Sequence, residues 1–257
     1  MTDRPTAPAP SRNRRGLLVF GAAAVAFLAA PRIWQRFAPA PQGEPHPNVQ
    51  GYLRLPDGAV TGADPFAGLT PPNPDAIVPT PMPPTGPALC AALFRDGIKQ
   101  GTVPVAFFTD VNCPFCRVME QWLPHLPTDQ VSLTWHDLPL LGPASEMAAR
   151  AVAAAALQDA GDAMRARLNR AQIQPTVSYI AQVATGIGLD GDRLAADMTS
   201  PAVTARVAQS MGLANGFLVP GTPALIVGRT LAVGQRPEGE VKRLIGDAAA
   251  RDSGLCT

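Results

Sequence analysis

Two stretches of the 257-residue chain have residue types and spacing suited to chemistry. The first is Asp110-Val111-Asn112-Cys113-Pro114-Phe115-Cys116. It joins an apolar run, Val103 to Thr109, to a segment with helical spacing from about Pro114 to Leu123, so Cys113 is expected at a helix N-terminus. Unpaired backbone N–H groups and the helix dipole favour an anion there, and a thiolate in such a place has a depressed pKa. Cys116, one turn on, is placed to close on Cys113 and release a partner from a mixed disulfide. Other uses of the pair are a zinc half-site, to which His125 or His136 could contribute, and a small structural bridge. Asp110 stands either to relay protons to Cys113 or to hydrogen-bond the turn.

The second stretch is Val219-Pro220-Gly221-Thr222-Pro223-Ala224, directly before a short apolar run. A Thr222-Pro223 bond that is cis would mark a tight turn. It would set the Thr222 backbone beside the Cys113 sulfur, ready to pair with an extended substrate by strand addition. The outer cysteines, Cys90 and Cys256, lie on opposite sides of these motifs. Four cysteines allow three pairings, and the favoured one joins Cys113 to Cys116 and Cys90 to Cys256. The alternative leaves Cys90 as a core residue and Cys256 free.

The elements that must position these residues follow from periodicity. Pro87 opens a helix to about Ile98, and Val103–Thr109 reads as a strand buried on both faces. Val131, Leu133 and Trp135 alternate as a second strand. Ser145 is expected to cap an Ala-rich helix to about residue 160. Helical stretches follow near 162–172, 176–186, 190–198 and 201–213, the last with Ser200 as cap. Residues 224–227 and 231–233 flank Gly228-Arg229-Thr230 as a hairpin, and 237–250 closes the chain as an amphipathic helix. Strand–helix–strand, a helical block over about 143–218, then hairpin–helix is a thioredoxin-like α/β order with a helical insertion.

The N-terminal third differs in composition. Residues 1–40 carry six Arg against one Asp, and 18 of the 29 prolines lie in residues 1–87. Arg12, Arg14 and Arg15 precede an uncharged apolar run from Gly16 to Ala30, the pattern of a signal or signal-anchor. Extended through Trp34, the run approaches the length needed to span a bilayer. Candidate small-residue cleavage sites are followed by proline, which favours a retained anchor over a cleaved signal. Asn13-Arg14-Arg15-Gly16 is also similar to a twin-arginine export signal. Residues 1–37 are therefore expected to be a cytoplasmic tip and anchor, and 38–87 a Pro-rich linker that lifts a domain of residues 88–257 from the inner membrane. Two lysines against 19 arginines suggest a GC-rich bacterial genome, and hence a periplasm where disulfides persist. With 46% hydrophobic residues and net charge +1, the chain can build a core and carries no footprint of a nucleic-acid binder.

The stretches PVAFFTDVNCPFCRVMEQWLPHL, LPLLGPASEMAARAVAAAAL and VPGTPALIVGRTLAVGQRPEGEVKRLI resemble DsbA-like thiol–disulfide oxidoreductases. The resemblance covers roughly residues 88–250. It implies Cys113 as nucleophile, Cys116 as resolving thiol and Pro223 as the cis-proline beside Thr222. It also implies cysteine-containing exported proteins as substrates, a membrane or periplasmic redox partner, and no metal or organic cofactor. One departure is the Pro-Phe pair between the cysteines, where the best-known oxidising members carry a His: Phe115 brings no positive charge to the thiolate. Phe115, Phe217 and Leu218 are expected to line the site with apolar surface. A different class of reading is a non-catalytic peptide-binding or assembly module with a structural disulfide.

Overall fold

The structure is a computed structural model, and it describes residues 43–62, 85–170, 176–251 and 256. The described elements are β1 (Glu44–Pro45), β2 (Leu53–Arg54), α1 (Gly86–Leu93), β3 (Val103–Thr109), α2 (Pro114–Glu120), a 3-10 turn (Leu123–His125) and β4 (Val131–Asp137). After them come α3 (Pro143–Ala156), α4 (Gly161–Arg170), α5 (Val177–Gly186), α6 (Gly191–Asp197), α7 (Pro201–Gly216), β5 (Ala224–Val227), β6 (Thr230–Val233) and α8 (Glu238–Arg251).

The strands form one mixed sheet in the order β1-β2-β6-β5-β3-β4. β3 runs parallel to β4 and antiparallel to β5, and the β5–β6 hairpin is antiparallel. β3 is buried at every position, and successive side chains enter opposite cores because a strand alternates its faces. Ala106, Phe108, Ala224, Ile226, Leu231 and Val233 pack with α1 and α7 on one face. Val105, Phe107, Leu225, Val227 and Ala232 pack with Met119 of α2 and with Val241, Leu244 and Ile245 of α8 on the other. A third core lies within the helical block, where the alanines of α3 allow close approach to Met164, Leu168, Ile180, Leu194 and Val203.

Several expectations are adjusted. The first helix ends at Leu93, not near Ile98: Phe94, at φ −116° and ψ 46°, leaves helical backbone, and Gly97 beyond it adopts a left-handed φ of 91°. The helix that carries Cys116 ends at Glu120, and a separate 3-10 turn carries Leu123. Ser145 does not cap α3: Gly142 is the N-cap residue, with no side-chain cap, and Ser145 Oγ donates to Asp110 instead. Ser200 does cap α7, accepting from Val203 N at 3.3 Å.

Residues 43–62 fall in the stretch expected to be a linker, yet they join the sheet. β2 pairs with β6 in parallel, and Leu53 N and Leu55 N donate to Arg229 O and Leu231 O at 2.8 and 2.9 Å. The physical reason is apolar: Tyr52 and Leu55 are buried, one in each of the two cores flanking the sheet. Among the described residues no helix is long and apolar enough to cross a membrane. The expected anchor at 16–34 lies outside the described residues, as does most of the stretch between Gly62 and Gly86.

Candidate functional site

The apolar strand β3 ends at Thr109, and Asp110 leads from it into the first turn of α2. Cys113 is the N-cap residue of that helix, and its sulfur accepts from Cys116 N at 3.2 Å. Pro114 at the first helical position lacks a donor where none is needed. Both thiols are free and buried. On the neighbouring strand, whose start lies beside the end of β3, the chain enters β5 through a cis Thr222-Pro223 bond. This turn aims Thr222 O at the Cys113 sulfur, 3.4 Å away. Thr61 Oγ1 stands 3.6 Å from the same sulfur.

The electrostatics divide the two thiols. The Cys113 pKa is lowered to about 6, first by the hydrogen bond from the Cys116 thiol, against the opposing effect of burial. Hydrogen bonds from the Thr222 and Thr61 side chains and from Cys116 N add to the lowering. Thr222 Oγ1 is buried with no partner of its own in the thiol state, so it is free to turn to the thiolate. Thr61 likewise donates once Cys113 is ionised. Burial pushes Cys116 far up from the ordinary thiol value, and the neighbouring Cys113 sulfur pushes it further. One sulfur is therefore held as thiolate near neutral pH and the other as thiol.

Asp110 is occupied. Its Oδ1 accepts from Asn112 N at 2.8 Å and Ser145 Oγ at 2.7 Å, and its Oδ2 from Leu140 N and Leu141 N at 2.9 and 3.2 Å. Burial raises its pKa while these four donors oppose the rise. Its geometry is that of a hub holding the Cys113 turn to the loop before α3. Glu120, one turn beyond Cys116, is raised to about 7 by burial and accepts from Thr109 Oγ1.

A family model of the DSBA-like thioredoxin domain matches residues 104–246, more than half of the chain. The chain belongs to this family. A thioredoxin-like oxidoreductase from Silicibacter pomeroyi is 30% identical, with a TM-score of 0.57 over 62% of this chain and 97% of that one. The thiol-disulfide exchange protein alpha-DsbA2 of Wolbachia pipientis, 22% identical, has a TM-score of 0.57 over 61% of this chain and 90% of its own. The catalytic domain of Proteus mirabilis ScsC, also 22% identical, has a TM-score of 0.53 over 63% and 94%. These last two share the fold. Among curated proteins, a Na(+)/H(+) antiporter, NhaA 3 of Salinispora tropica, is 31% identical over 135 residues. That match covers 51% of this chain but only 21% of the antiporter, so the chain spans about a fifth of that relative's length.

The DsbA-like chain is accordingly a thiol–disulfide oxidoreductase with a thioredoxin-like α/β fold. Among the sequence-predicted residues, Cys113, Cys116, Thr222 and Pro223 meet at one point. Cys90 and Cys256 are joined in a disulfide with Cα atoms 5.5 Å apart, tying α1 to the C-terminus. Phe217 is a correction: it is fully buried, with the rings of His46 and Tyr52 edge-on at 5.4 and 5.0 Å. It belongs to the core and not to the apolar rim. Leu218, with φ 48°, is by contrast 44% exposed. His136 is a core residue too, stacked on Phe108 with Nε2 donating to Leu93 O at 2.8 Å. Thr61 was not singled out in the sequence. A short apolar alternation around it, Tyr52-Leu53-Arg54-Leu55 and then Val60, is the signal that its segment docks.

Proposed function

We propose that this protein exchanges disulfides with exported, cysteine-containing proteins through Cys113, with Cys116 as the resolving thiol. The observation that carries the reading is the split between the two sulfurs: a Cys113 pKa of about 6 beside a Cys116 thiol that resists ionisation. In the oxidising direction a client thiolate attacks Cys113 of the Cys113–Cys116 disulfide. The client–Cys113 bond forms, the Cys113–Cys116 bond breaks, and Cys116 leaves and takes a proton, which its raised pKa favours. A second client thiolate then attacks the client sulfur and expels Cys113 as thiolate. The client has lost two electrons and the enzyme holds them as a dithiol. A low-pKa Cys113 leaves readily in this last step. Thr222 and Pro223 supply the backbone edge on which the client strand is aligned, and Phe115 and Leu218 an apolar border.

Residues 16–34 are assigned as an inner-membrane anchor, with the oxidoreductase domain in the periplasm. What supports this is the basic-then-apolar pattern of the N-terminus, the scarcity of lysine, and a disulfide between Cys90 and Cys256 that an oxidising compartment preserves. A redox partner in or near the membrane recharges the dithiol.

The test is the reduction potential of the Cys113–Cys116 couple in the full chain, equilibrated with glutathione buffers. Thioredoxin, with a nucleophile pKa of about 7, lies at about −270 mV, and DsbA, with about 3.5, at about −120 mV. With a Cys113 pKa of about 6, the expected potential lies between these two, nearer to thioredoxin. Absence of a reversible couple overturns the reading and leaves a peptide-binding module in its place.

A further inference from the structure

The backbone edge that a client strand needs is already taken. Thr61 N donates to Thr222 O at 2.8 Å and Thr222 N donates to Thr61 O at 3.0 Å, a closed antiparallel bridge. Both backbone groups of the residue before Pro223 are thus used by the protein itself. The approach to this bridge is continuous with the sheet. Gly58 N donates to Val233 O at 2.8 Å, Gln235 N to Ala59 O at 2.8 Å, and Arg236 Nη2 to Pro56 O. The fit is close: a Cβ on Gly221 would sit 2.6 Å from Thr61 O, and one on Gly234 would run into the Gly58 backbone. At the same place Cys113, the proposed attacking residue, is 0% exposed. A nucleophile with no access to solvent and an aligning edge with no free donor cannot together accept a client.

We propose that residues 56–62 form an intramolecular strap that occupies the client-pairing edge in the manner of a substrate, and that clients enter by strand exchange with it. The inference rests on the oxidoreductase reading above. It selects the client class: an extended, unfolded segment around a cysteine replaces Thr61, because it can supply the same pair of main-chain hydrogen bonds. A cysteine fixed in folded structure cannot. The strap also lowers the apparent affinity for every client by the fraction of time it is open, so loosening it strengthens client capture. Only the tip from Ala59 to Gly62 has to move, since Leu53 and Leu55 remain bonded to β6 and its flanks.

The test uses the full chain with Cys116→Ser, which leaves Cys113 as the reactive thiol while Cys90 and Cys256 stay paired. Two probes are compared: 5,5′-dithiobis(2-nitrobenzoate), and an unstructured ten-residue peptide whose single cysteine is a mixed disulfide with 2-nitro-5-thiobenzoate. In each, the Cys113 thiolate attacks the disulfide, bonds to one sulfur and releases coloured thionitrobenzoate. Thr61→Pro removes the N–H that bonds to Thr222 O. It is expected to raise the peptide rate severalfold, up to about tenfold, since one main-chain hydrogen bond of the closed state is lost. Rates are read at about pH 8.5, where Cys113 is ionised with or without the Thr61 hydroxyl, and there the small probe should gain less, as it needs no pairing edge. Equal peptide rates with and without the substitution overturn the strap while the oxidoreductase reading stands. Silence of Cys113 toward both probes in both proteins overturns both. Should Thr61→Pro not fold, Thr61→Cys in the same background decides. With oxidised glutathione as oxidant, a strap seated on the site yields an internal disulfide between the introduced thiol and Cys113, and excess cysteine-free peptide slows its formation. Absence of that cross-link overturns the proposal.

Discussion

A thiolate at Cys113 is stabilised by three neighbours drawn from three distant parts of the chain: Cys116 on its own helix, Thr222 before β5, and Thr61 beside β2. Phe115 contributes no charge, so hydrogen bonding replaces the cation that a histidine at this place would provide. Since the thiolate is the nucleophile, reactivity falls about tenfold per pH unit below the pKa and levels off above it. Alkylation of reduced Cys113 should therefore rise through about pH 6 and be flat by pH 8, well before the ordinary thiol value of 9.0. Thr61→Ala keeps the backbone bridge but removes the hydroxyl donor. Its midpoint should move upward by roughly one unit, the scale of one hydrogen bond to a charged group. An unmoved midpoint in the iodoacetamide rate profile would show that Thr61 does not touch the thiolate.

At the level of the elements, a buried ion pair helps fasten the helical block to the sheet. Arg165 of α4 bonds Asp137 at the end of β4, with Nη2 donating to Oδ2 at 3.2 Å, and its guanidinium lies 4.8 Å over the Trp135 ring. Both partners are nearly inaccessible, with side-chain exposures of 6% and 8%. Removing one member strands the other charge in the interior, which costs far more than the pair contributes. Arg165→Met should lower unfolding stability by about 3–5 kcal/mol, and adding Asp137→Leu should recover most of it. Urea unfolding of the two variants checks this; equal loss in both would mean that packing, not the stranded charge, is responsible. A cavity of about 1080 Å³ opens beside this pair, between α4 and the β4 edge, with Glu120 and Trp135 in its lining.

The described parts of residues 41–257 are held as a whole by links between segments far apart in sequence. β2 lies against β6, with Leu53 opposite Thr230, and the Cys90–Cys256 bridge spans 166 residues. In the chain-entropy account, so long a loop stabilises by at most about 5 kcal/mol, and less where the native geometry is strained. Cys256→Ser should thus lower the stability of the non-reduced protein by about 2–5 kcal/mol. It should leave the Cys113 alkylation midpoint unchanged, because the bridge lies outside the set of groups around that sulfur. An unaltered denaturation midpoint would show that the C-terminal tie carries no weight.

The local units are legible in the sequence. Val103–Thr109 reads as a doubly buried strand because it is apolar throughout, and CPFC lands on a helix N-terminus because a strand stops and a proline follows the first cysteine. The block of helices, the hairpin at Gly228-Arg229 and the closing amphipathic helix are written in the same short-range periodicity. Which of these units touch depends on contacts between segments far apart in the chain. Ser145 has the look of a cap, but Asp110, 35 residues away, offers its hydroxyl a buried carboxylate. Phe217 has the look of a site lining, but Tyr52 and His46 arrive from the N-terminal side and cover it. Thr61 sits in a stretch whose prolines suggest an extended spacer. Extended backbone without internal hydrogen bonds is also what a sheet edge accepts, and an unpaired Thr222 leaves a donor and an acceptor to be satisfied. Proline content reports that a segment makes no helix; it carries no information on which edge the segment will find.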